Sequence, residues 1–269
     1  MFYFVSTPIG NLKDISFRAI ETLENADVIA CEDTRTSLKL LNHYNIKKQL
    51  VAYHKFNEIK EAERLIEEHS KGKNIAVITD AGTPVISDPG NALTKILRER
   101  NIDFTVVPGA NAFVPALILS GFDASRFCFV GFLPEKKTAA RKLLENYADL
   151  DATLLFYSAP HDLKKNISLL SEILGNRRAA AVKEITKLHE RTEIFCLADG
   201  ILEEEPKGEY VVVVEGAKQT EKDFSDLSVK DHLDLYLKEG MTKMDAIKKV
   251  AKDRGVKKSE IYDLVKNNE

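Results

Sequence analysis

Short apolar runs separated by amphipathic segments organise the first 110 residues of the chain. The runs cover residues 2–5, 28–30, 75–78 and 104–107. An uninterrupted apolar run is typical of a strand that is buried on both faces, and the segments between the runs have the periodicity of helices. The pattern therefore predicts a mostly parallel sheet with helices on its faces.

A second group of apolar runs follows a helix that is expected to begin near Asn111. These runs cover residues 127–130, 153–157, 179–182, 192–197 and 209–214. Some of the connections between them are short, which favours a mixed sheet. The predicted fold class is therefore α/β, with two α/β domains over residues 1–112 and 113–220 and a ligand cleft between their sheets.

The end of the chain, residues 221–269, has a different pattern. This segment begins within an acidic, turn-prone linker at residues 216–228. Three short helices are predicted beyond it, over residues 227–237, 242–253 and 259–266. Residues 242–245 have the spacing of a capping box at the start of the second helix. The helices are consistent both with a stabilising bundle and with a helix-turn-helix-like unit that contacts nucleic acid.

The loop that follows the third apolar run, residues 79–90, has the sequence TDAGTPVISDPG. Open α/β sheets bind ligands at the carboxyl ends of their strands, where this loop is expected to lie. It matches neither the dinucleotide-binding nor the Walker pattern of glycines. Alone, it is also consistent with an ordinary turn between a strand and a helix. Similar small-residue loops at residues 6–12 and 108–112 favour convergence of all three loops on one extended ligand.

Six segments together resemble the tetrapyrrole-methylase superfamily: STPIGNL at 6–12, CEDTR at 31–35, residues 79–90, PGA at 108–110, GFLPEK at 131–136 and EITK at 184–187. The resemblance extends from residue 2 to about residue 265. Within the superfamily the chain is similar to enzymes that methylate the ribose 2′-oxygen of a cytidine in the decoding centre of 16S rRNA. The resemblance implies a fold of tetrapyrrole-methylase type, S-adenosylmethionine as the methyl donor, 16S rRNA in the small ribosomal subunit as the partner, and a homodimer.

The resemblance also implies a donor site at the strand ends of both domains. Asp80 would pair with a charged or ribose group of the donor, and backbone N–H groups around Gly82, Thr83 and Ala110 would hold its polar ends. Small side chains there let the backbone approach a ligand closely. The residues expected to bind the cofactor are Pro8, Asp80, Ala81, Gly82, Thr83, Ser87, Gly109, Ala110, Tyr157 and Ala181.

Methyl transfer to a ribose hydroxyl calls for a general base, because a hydroxyl is a weak nucleophile near neutral pH. The candidate bases are Glu32, Asp33, Glu184 and Lys187, and none of them is preferred. Arg35 is better suited to a phosphate, whose oxygens its guanidinium matches. The expected catalytic set is therefore Glu32, Asp33, Arg35 and Lys187. An alternative for Glu32 and Asp33 is that they cap the following helix.

The net charge of −3 is unusual for a protein that binds nucleic acid. Basic residues nevertheless cluster after the turn at residues 131–134, where we define the basic cluster as Lys136, Lys137, Arg141 and Lys142. Such clusters are commonly solvated surface. With the resemblance, they become candidate contacts to the RNA backbone, as do the C-terminal helices, and no DNA partner is expected.

Composition narrows the possible classes further. A chain of 269 residues, 44% apolar and 30% charged, can bury the cores of two α/β domains. No apolar run approaches the roughly 18 residues of a membrane span, and the first residues lack the features of a signal peptide, so a cytoplasmic protein without a membrane partner is expected. The spacing of the three Cys and six His predicts no metal site.

Two other functions fit the same residues. One is a methylase of a small molecule or a protein substrate within the same superfamily. The other is a non-catalytic RNA-binding protein of ribosome assembly that retains a donor pocket. The CEDTR segment at 31–35 and the C-terminal helices argue against the first of them.

Overall fold

The structure is a computed structural model that describes residues 1–218, 224, 227–238 and 240–266. The chain forms two compact units, Met1–Ala217 and Lys218–Glu269. The larger unit contains two five-stranded sheets and the smaller one is helical. Among the described residues, no helix is both long enough and apolar enough to cross a membrane.

The first sheet is entirely parallel, in the order β3-β2-β4-β1-β5. Its strands are β1 (Phe2–Val5), β2 (Val28–Cys31), β3 (Gln49–Ala52), β4 (Ile75–Ile78) and β5 (Phe104–Val107). Its helices are α1 (Phe17–Asn25), α2 (Thr34–His43), α3 (Glu58–Ser70) and α4 (Asn91–Glu99), with a 3-10 helix at Leu12–Asp14. The apolar pattern does not predict β3, because in this edge strand Val51 alone is buried.

Alternate residues of the first sheet enter two separate cores. Phe4 and Val77 lie in the core on the side of α3 and α4, whereas Val5 and Ile78 lie in the core on the side of α1 and α2. Side chains on a strand alternate between its faces, so a sheet covered on both sides needs continuous apolar runs.

The second sheet is mixed, as predicted, in the order β6-β7-β10-β8-β9. Its strands are β6 (Phe127–Phe132), β7 (Thr153–Ser158), β8 (Arg178–Lys183), β9 (Arg191–Cys196) and β10 (Tyr210–Val214). The pair β6–β7 is parallel and the other pairs are antiparallel. One face packs against α5 (Phe113–Ser120), and the other against α6 (Lys137–Glu145) and α7 (Leu163–Leu174), which follows a 3-10 helix at Pro160–Asp162. The α/β fold class with two sheets is therefore confirmed.

The helical unit contains α8 (Val229–Lys238), α9 (Lys243–Asp253) and α10 (Lys258–Lys266). Its core is formed by Phe224, Leu233, Tyr236, Ala246, Ile247, Val250, Ala251 and Ile261. The predicted cap is present, since the backbone N–H of Asp245 donates to the Thr242 hydroxyl at 3.3 Å. Residues 219–223 and 225–226 of the predicted linker lie outside the described residues.

Both sheets belong to the same compact unit, Met1–Ala217. The predicted boundary at residue 112 falls between β5 and α5, where the chain passes from the first sheet to the second. The division of the chain at residues 112 and 220 stays a prediction.

Candidate active site

A cavity of about 470 Å³ lies between the two sheets, within the usual size range of small-molecule sites. We call the first-sheet side of the cavity the first wall: Ile9, Asp80, Ala81, Gly82, Thr83, Ile86, Ser87, Asp88, Asn111 and Ala112. We call the opposite side the second wall: Phe132, Tyr157, Ser158, Ala159, Pro160, Val182, Ile185, Lys187, Glu209, Tyr210 and Val211. The carboxyl ends of parallel strands therefore form the first wall.

Hydrogen bonds hold the three loops of the first wall together. Thr7, after β1, and Gly82, after β4, exchange two backbone hydrogen bonds of 2.9 and 3.1 Å. The Thr83 hydroxyl donates to the carbonyl of Ala110, after β5, at 3.1 Å and lies 2.9 Å from the Ser6 hydroxyl. The convergence of loops agrees with the sequence prediction. The Gly82 N–H, however, donates to Thr7, so it is not available to the donor as that prediction required.

The backbone is strained in the loop of the first wall and beside the second wall. Gly82 has φ +88, and a Cβ there would lie 3.3 Å from Cγ2 of Ile9. Val85 and Ser87 of the same loop have φ values of 77° and 67°, and Thr186, close to the second wall, has 67°. Positive φ is unfavourable for residues with a side chain, most of all for β-branched ones. Such strain commonly accompanies functional sites.

Carboxyl groups crowd the first wall. Asp80 accepts a hydrogen bond from the Asp33 N–H at 3.2 Å, and burial followed by the charge of Asp33 raises the pKa of Asp80. Burial also raises the pKa of Asp88 to about 6, with further contributions from the charges of Glu32 and Asp80. The Thr79 hydroxyl, which donates to Glu32 at 3.2 Å, opposes this shift of Asp88. Asp88 therefore gains or loses its proton near pH 6.

The second wall holds a lysine with two carboxylate partners. Nζ of Lys187 donates to Glu184 at 2.9 Å and to Glu209 at 2.8 Å. Burial alone would lower the pKa of Lys187, but these two hydrogen bonds outweigh it and raise the pKa. For Glu184, burial acts to raise the pKa, and hydrogen bonds from the Glu209 backbone and Lys187 reverse that effect and lower it. Lys187 and Glu184 thus hold their charged forms at neutral pH.

The cavity contains six of the ten predicted cofactor residues. They are Asp80, Ala81, Gly82, Thr83, Ser87 and Tyr157. Pro8, Gly109, Ala110 and Ala181 do not line it. A Cβ at Gly109 would lie 2.9 Å from Cβ of Ser6, so this glycine allows two loops to pack. Ala181 lies in the core on the α6 and α7 side, and Val182 lines the cavity instead, because neighbouring residues of a strand face opposite sides.

The predicted catalytic residues fall into two groups. Lys187 lines the cavity. Glu32 does not line it, but accepts a hydrogen bond from the hydroxyl of Thr79, which directly precedes Asp80. Asp33 instead caps α2, accepting from the Arg35 N–H at 2.8 Å, and it also forms an ion pair of 2.8 Å with the Arg35 side chain, which is 87% exposed. Hydrogen bonds from Arg35 lower the pKa of Asp33 to about 2. The capping alternative is therefore confirmed for Asp33, which is a poor proton acceptor near neutral pH.

The basic cluster lies on α6 and the residue before it. Lys137 and Arg141 both pair with Glu172 of α7, the lysine at 3.4 Å. Within the described part of the chain, Lys136 and Lys142 have no ion-pair partner. Two of the four cations of the cluster therefore share a single carboxylate of α7.

Asp88 and Glu209 line the cavity, although the sequence did not single them out. Asp88 belongs to the 79–90 loop, so its place at a strand end was visible in the sequence. Its burial was not visible, because it depends on the second wall. Glu209 directly precedes the β10 run, and its proximity to Lys187 arises from the pairing of β10 with β8.

Comparisons with known proteins bear on this geometry. Residues 1–199 match the family model of Tetrapyrrole (Corrin/Porphyrin) Methylases. The chain is similar to ribosomal RNA small subunit methyltransferase I of Halalkalibacterium halodurans, at 43% identity over 97% of this chain and 93% of that protein. It is also similar to the protein of that name from Bacillus subtilis, at 43% identity over 97% and 92% of the two chains.

Solved structures with a similar fold include diphthine synthase, with a TM-score of 0.64 and 16% identity over 80% of this chain and 89% of that one. Uroporphyrin-III-C-methyltransferase from Thermus thermophilus has a TM-score of 0.57 and 22% identity over 80% of this chain and 93% of that one. At these identities the similarity concerns the fold alone.

Proposed function

Because this chain belongs to the tetrapyrrole-methylase family, we propose that it transfers a methyl group from S-adenosylmethionine to the ribose 2′-oxygen of a cytidine in the decoding centre of 16S rRNA. S-adenosylmethionine is the methyl donor of this family. The observation that carries the proposal is the 43% identity, along nearly the whole chain, to proteins named for methylation of small-subunit ribosomal RNA.

The chemistry of the cavity fits S-adenosylmethionine, which supplies an electrophilic methyl group and carries a sulfonium, an ammonium, a carboxylate and an adenosine. Asp80 offers negative charge for the cationic groups, whereas Lys187 offers an ammonium for an anionic one. Apolar side chains such as Ile9 and Phe132 suit the adenine ring. We assign the donor to this cavity on the basis of these complementary groups.

The residues of the cavity contribute mainly by position. Two walls that enclose the reactants hold them at a fixed distance and exclude water, and correct orientation supplies roughly 7–11 kcal/mol in favourable cases. Lys187 is protonated at neutral pH because its pKa is raised, so its role is to bind an anion and not to accept a proton. Arg35 presents an exposed guanidinium in the first turn of α2, where it would bind a phosphate of the RNA.

We also assign the RNA backbone to the basic cluster and to the C-terminal helices. Lys136 and Lys142 are the members of the cluster best placed for phosphates, since Lys137 and Arg141 pair with Glu172. The substrate would be the assembled small subunit in the cytoplasm, and the active form a homodimer. A small-molecule or protein substrate remains the alternative within the family, and the solved structures of similar fold include enzymes named for such substrates.

The test is methyl transfer from radiolabelled S-adenosylmethionine to isolated 30S subunits. Digestion of the rRNA to nucleosides, followed by mass spectrometry, should give 2′-O-methylcytidine. Label on a base, or on ribosomal protein, would contradict the proposal. Binding of 30S subunits without transfer would instead support a non-catalytic assembly role, and transfer to a tetrapyrrole but not to 30S would support a small-molecule methylase.

A further inference from the structure

We propose that Asp88 is the proton acceptor for the methyl transfer. This inference rests on the proposed function, since it requires a hydroxyl as the methyl acceptor. As the ribose oxygen bonds to the methyl carbon, its O–H bond breaks and the proton passes to the Asp88 carboxylate. The bond between sulfur and methyl carbon breaks at the same time, and the sulfur keeps the electron pair. No further reactant is needed for the step to balance.

Asp88 is held firmly at the cavity. It lines the first wall and is followed by Pro89, whose ring fixes its own backbone, and by Gly90. The Gly90 N–H donates to the Glu58 carboxylate at 2.6 Å, and the same oxygen accepts from the Ala92 N–H at 3.2 Å. The loop beyond Asp88 is thus anchored to α3 on one side of the sheet. A proton acceptor needs such fixed placement, because transfer depends on hydrogen-bond geometry.

The surroundings of Asp88 provide one hydroxyl for two carboxylates. The Thr79 hydroxyl donates to Glu32 at 3.2 Å and is also within hydrogen-bonding reach of Asp88. A hydroxyl has one proton, so it can donate to one of these carboxylates at a time. The charges that act on Asp88 among the described residues are those of Glu32 and Asp80, and both are negative. A proton delivered by the substrate would relieve this repulsion.

The opposite wall does not neutralise Asp88. Burial raises the pKa of Tyr157 to about 12, so this phenol stays neutral near pH 7. Lys187, on the opposite wall, is already paired with Glu184 and Glu209. The pKa of Asp88, raised to about 6 chiefly by burial, leaves it ionised but readily protonated at neutral pH. A general base is most effective when its pKa lies near the working pH.

Two of the other carboxylates considered as the base, Asp33 and Glu184, have partners that favour the ionised form. Asp33 is paired with Arg35, and its pKa falls to about 2. Glu184 accepts from Lys187 and from the Glu209 backbone, which lowers its pKa. Each would gain a proton only at the cost of an existing ion pair. Asp88 combines access to the cavity with the absence of such a partner among the described residues.

Asp88→Asn is the direct test, because it keeps the shape of the side chain and removes the proton acceptor. We expect kcat on 30S subunits to fall by about 10²–10⁴-fold, with donor affinity within about threefold of wild type. Asp88→Glu should restore part of the rate. Asp80→Asn is the matched control on the same wall, expected to weaken donor binding more than it slows the chemical step. Thermal unfolding of each variant separates these effects from misfolding.

The pH profile provides a second readout. Wild-type kcat should rise up to about pH 6 and then level off, and this inflection should vanish in Asp88→Asn but persist in Asp80→Asn. A third readout needs no turnover: with ¹³C-labelled aspartate, the carboxyl resonance that disappears in Asp88→Asn should titrate near pH 6 in the free protein.

Asp88 is rejected as the acceptor if Asp88→Asn retains kcat within about threefold, or keeps the inflection at a lower rate. A titration of its resonance near pH 4 would also reject the inference. If the wild-type protein does not methylate 30S subunits at all, the proposed function fails and the role of Asp88 fails with it. A fully active wild type with an equally active Asp88→Asn rejects the inference alone.

Discussion

Carboxyl groups occur at both walls of the cavity, but their pKa values are shifted in opposite directions. On the first wall, burial raises the pKa values of Asp80 and Asp88, and the charges of nearby carboxyl groups add to this shift. On the second wall, Lys187 lies between Glu184 and Glu209, and the pKa of Glu184 is lowered. A carboxyl group near a cation holds its charge, whereas one near other carboxyl groups takes up a proton more easily.

The comparison shows how a single cavity can bind charged ligand groups on one side and accept a proton on the other. The second wall is suited to fixed ionic contacts, because Lys187 and Glu184 stabilise each other in the charged form. The first wall is suited to proton transfer and to cationic ligands, because its negative charge is not neutralised. Positive φ values occur at Val85 and Ser87 in the loop of the first wall and at Glu184 and Thr186 beside the second wall.

The largest effect is expected from Gly82→Val, which would break the first wall. A valine at φ +88 is strained, and its Cβ would press on Ile9, so the loop should move and donor affinity should fall by more than about 100-fold. Calorimetry with S-adenosylmethionine measures this directly.

Gly72→Val is the matched control for Gly82→Val. Gly72 has φ +87 with no atom within 4 Å of an added Cβ, and it precedes β4 at the opposite edge of the sheet. It should lose comparable stability and bind the donor normally. Equal loss of donor affinity in both variants would show that backbone strain causes the loss, and not the location of Gly82 at the cavity.

A smaller effect is expected from Asp80→Ala. This change removes a carboxylate from the first wall and leaves the Asp33 N–H without its acceptor. Donor affinity should fall by roughly 10-fold or more, the value of a hydrogen bond to a charged group. The control is Asp103→Ala, an exposed carboxylate at the amino end of β5. Calorimetry that finds affinity within about twofold of wild type for Asp80→Ala would place the donor elsewhere.

The two walls should also respond oppositely to pH. Because the pKa of Asp88 is higher in the folded protein, folding stability should fall as the pH rises from about 4 to about 6, and Asp88→Asn should remove that loss. Above pH 6 we expect this variant to be more stable than wild type by about 1 kcal/mol, after allowance for partial exposure.

Glu184→Gln should give the reverse dependence on pH. The pKa of Glu184 is lowered on folding, so its contribution is present above its ordinary pKa and disappears as the pH falls through the lowered value. The variant should therefore be less stable than wild type at neutral pH and approach it in acid. Calorimetric melting temperatures from pH 8 down to acid below the lowered pKa of Glu184 test both walls, and parallel curves for the two variants would contradict the comparison.

The smallest effect concerns a surface outside both walls. Replacing the basic cluster by Ala should reduce 30S affinity by about threefold to tenfold and flatten its salt dependence, since fewer counterions are released, while donor affinity stays constant. Lys136 and Lys142 should account for most of this change, because the other two pair with Glu172.

Lys47→Ala with Lys48→Ala is the control for the basic cluster, since both lysines are exposed near the amino end of β3. Filter binding at several salt concentrations gives the slope for each variant. An unchanged slope with full methylation would identify the cluster as ordinary solvated surface.

Much of the fold could be predicted because a strand that is buried on both faces needs a continuous apolar run, which is visible in the sequence. The runs at residues 2–5 and 75–78 coincide with β1 and β4, and Thr242 caps α9 as its spacing predicted. Gln49–Ala52 has no continuous apolar run, because an edge strand with one buried residue does not need one. Its position follows from pairing with β2.

The site was predictable only in part. Asp80 to Ser87 could be placed at the cavity because a loop after a buried parallel strand lies at the ligand-binding edge. Ala181 could not be distinguished from Val182, since the register of β8 decides which of the two faces α5 and the cavity. Asp33 was a candidate base because it carries a carboxyl group. Its position before the first residue of α2 makes it the cap of that helix and the ion-pair partner of Arg35.

The sequence by itself therefore determined the α/β class, the three converging loops and the family, because these depend on local patterns of burial and turn formation. Tertiary structure alone decided the protonation states in the cavity. The raised pKa of Asp88 and the lowered pKa of Glu184 depend on neighbours that are distant along the chain, such as Glu32 for the first and Glu209 for the second. Electrostatic energy depends on distance and burial, and folding sets both.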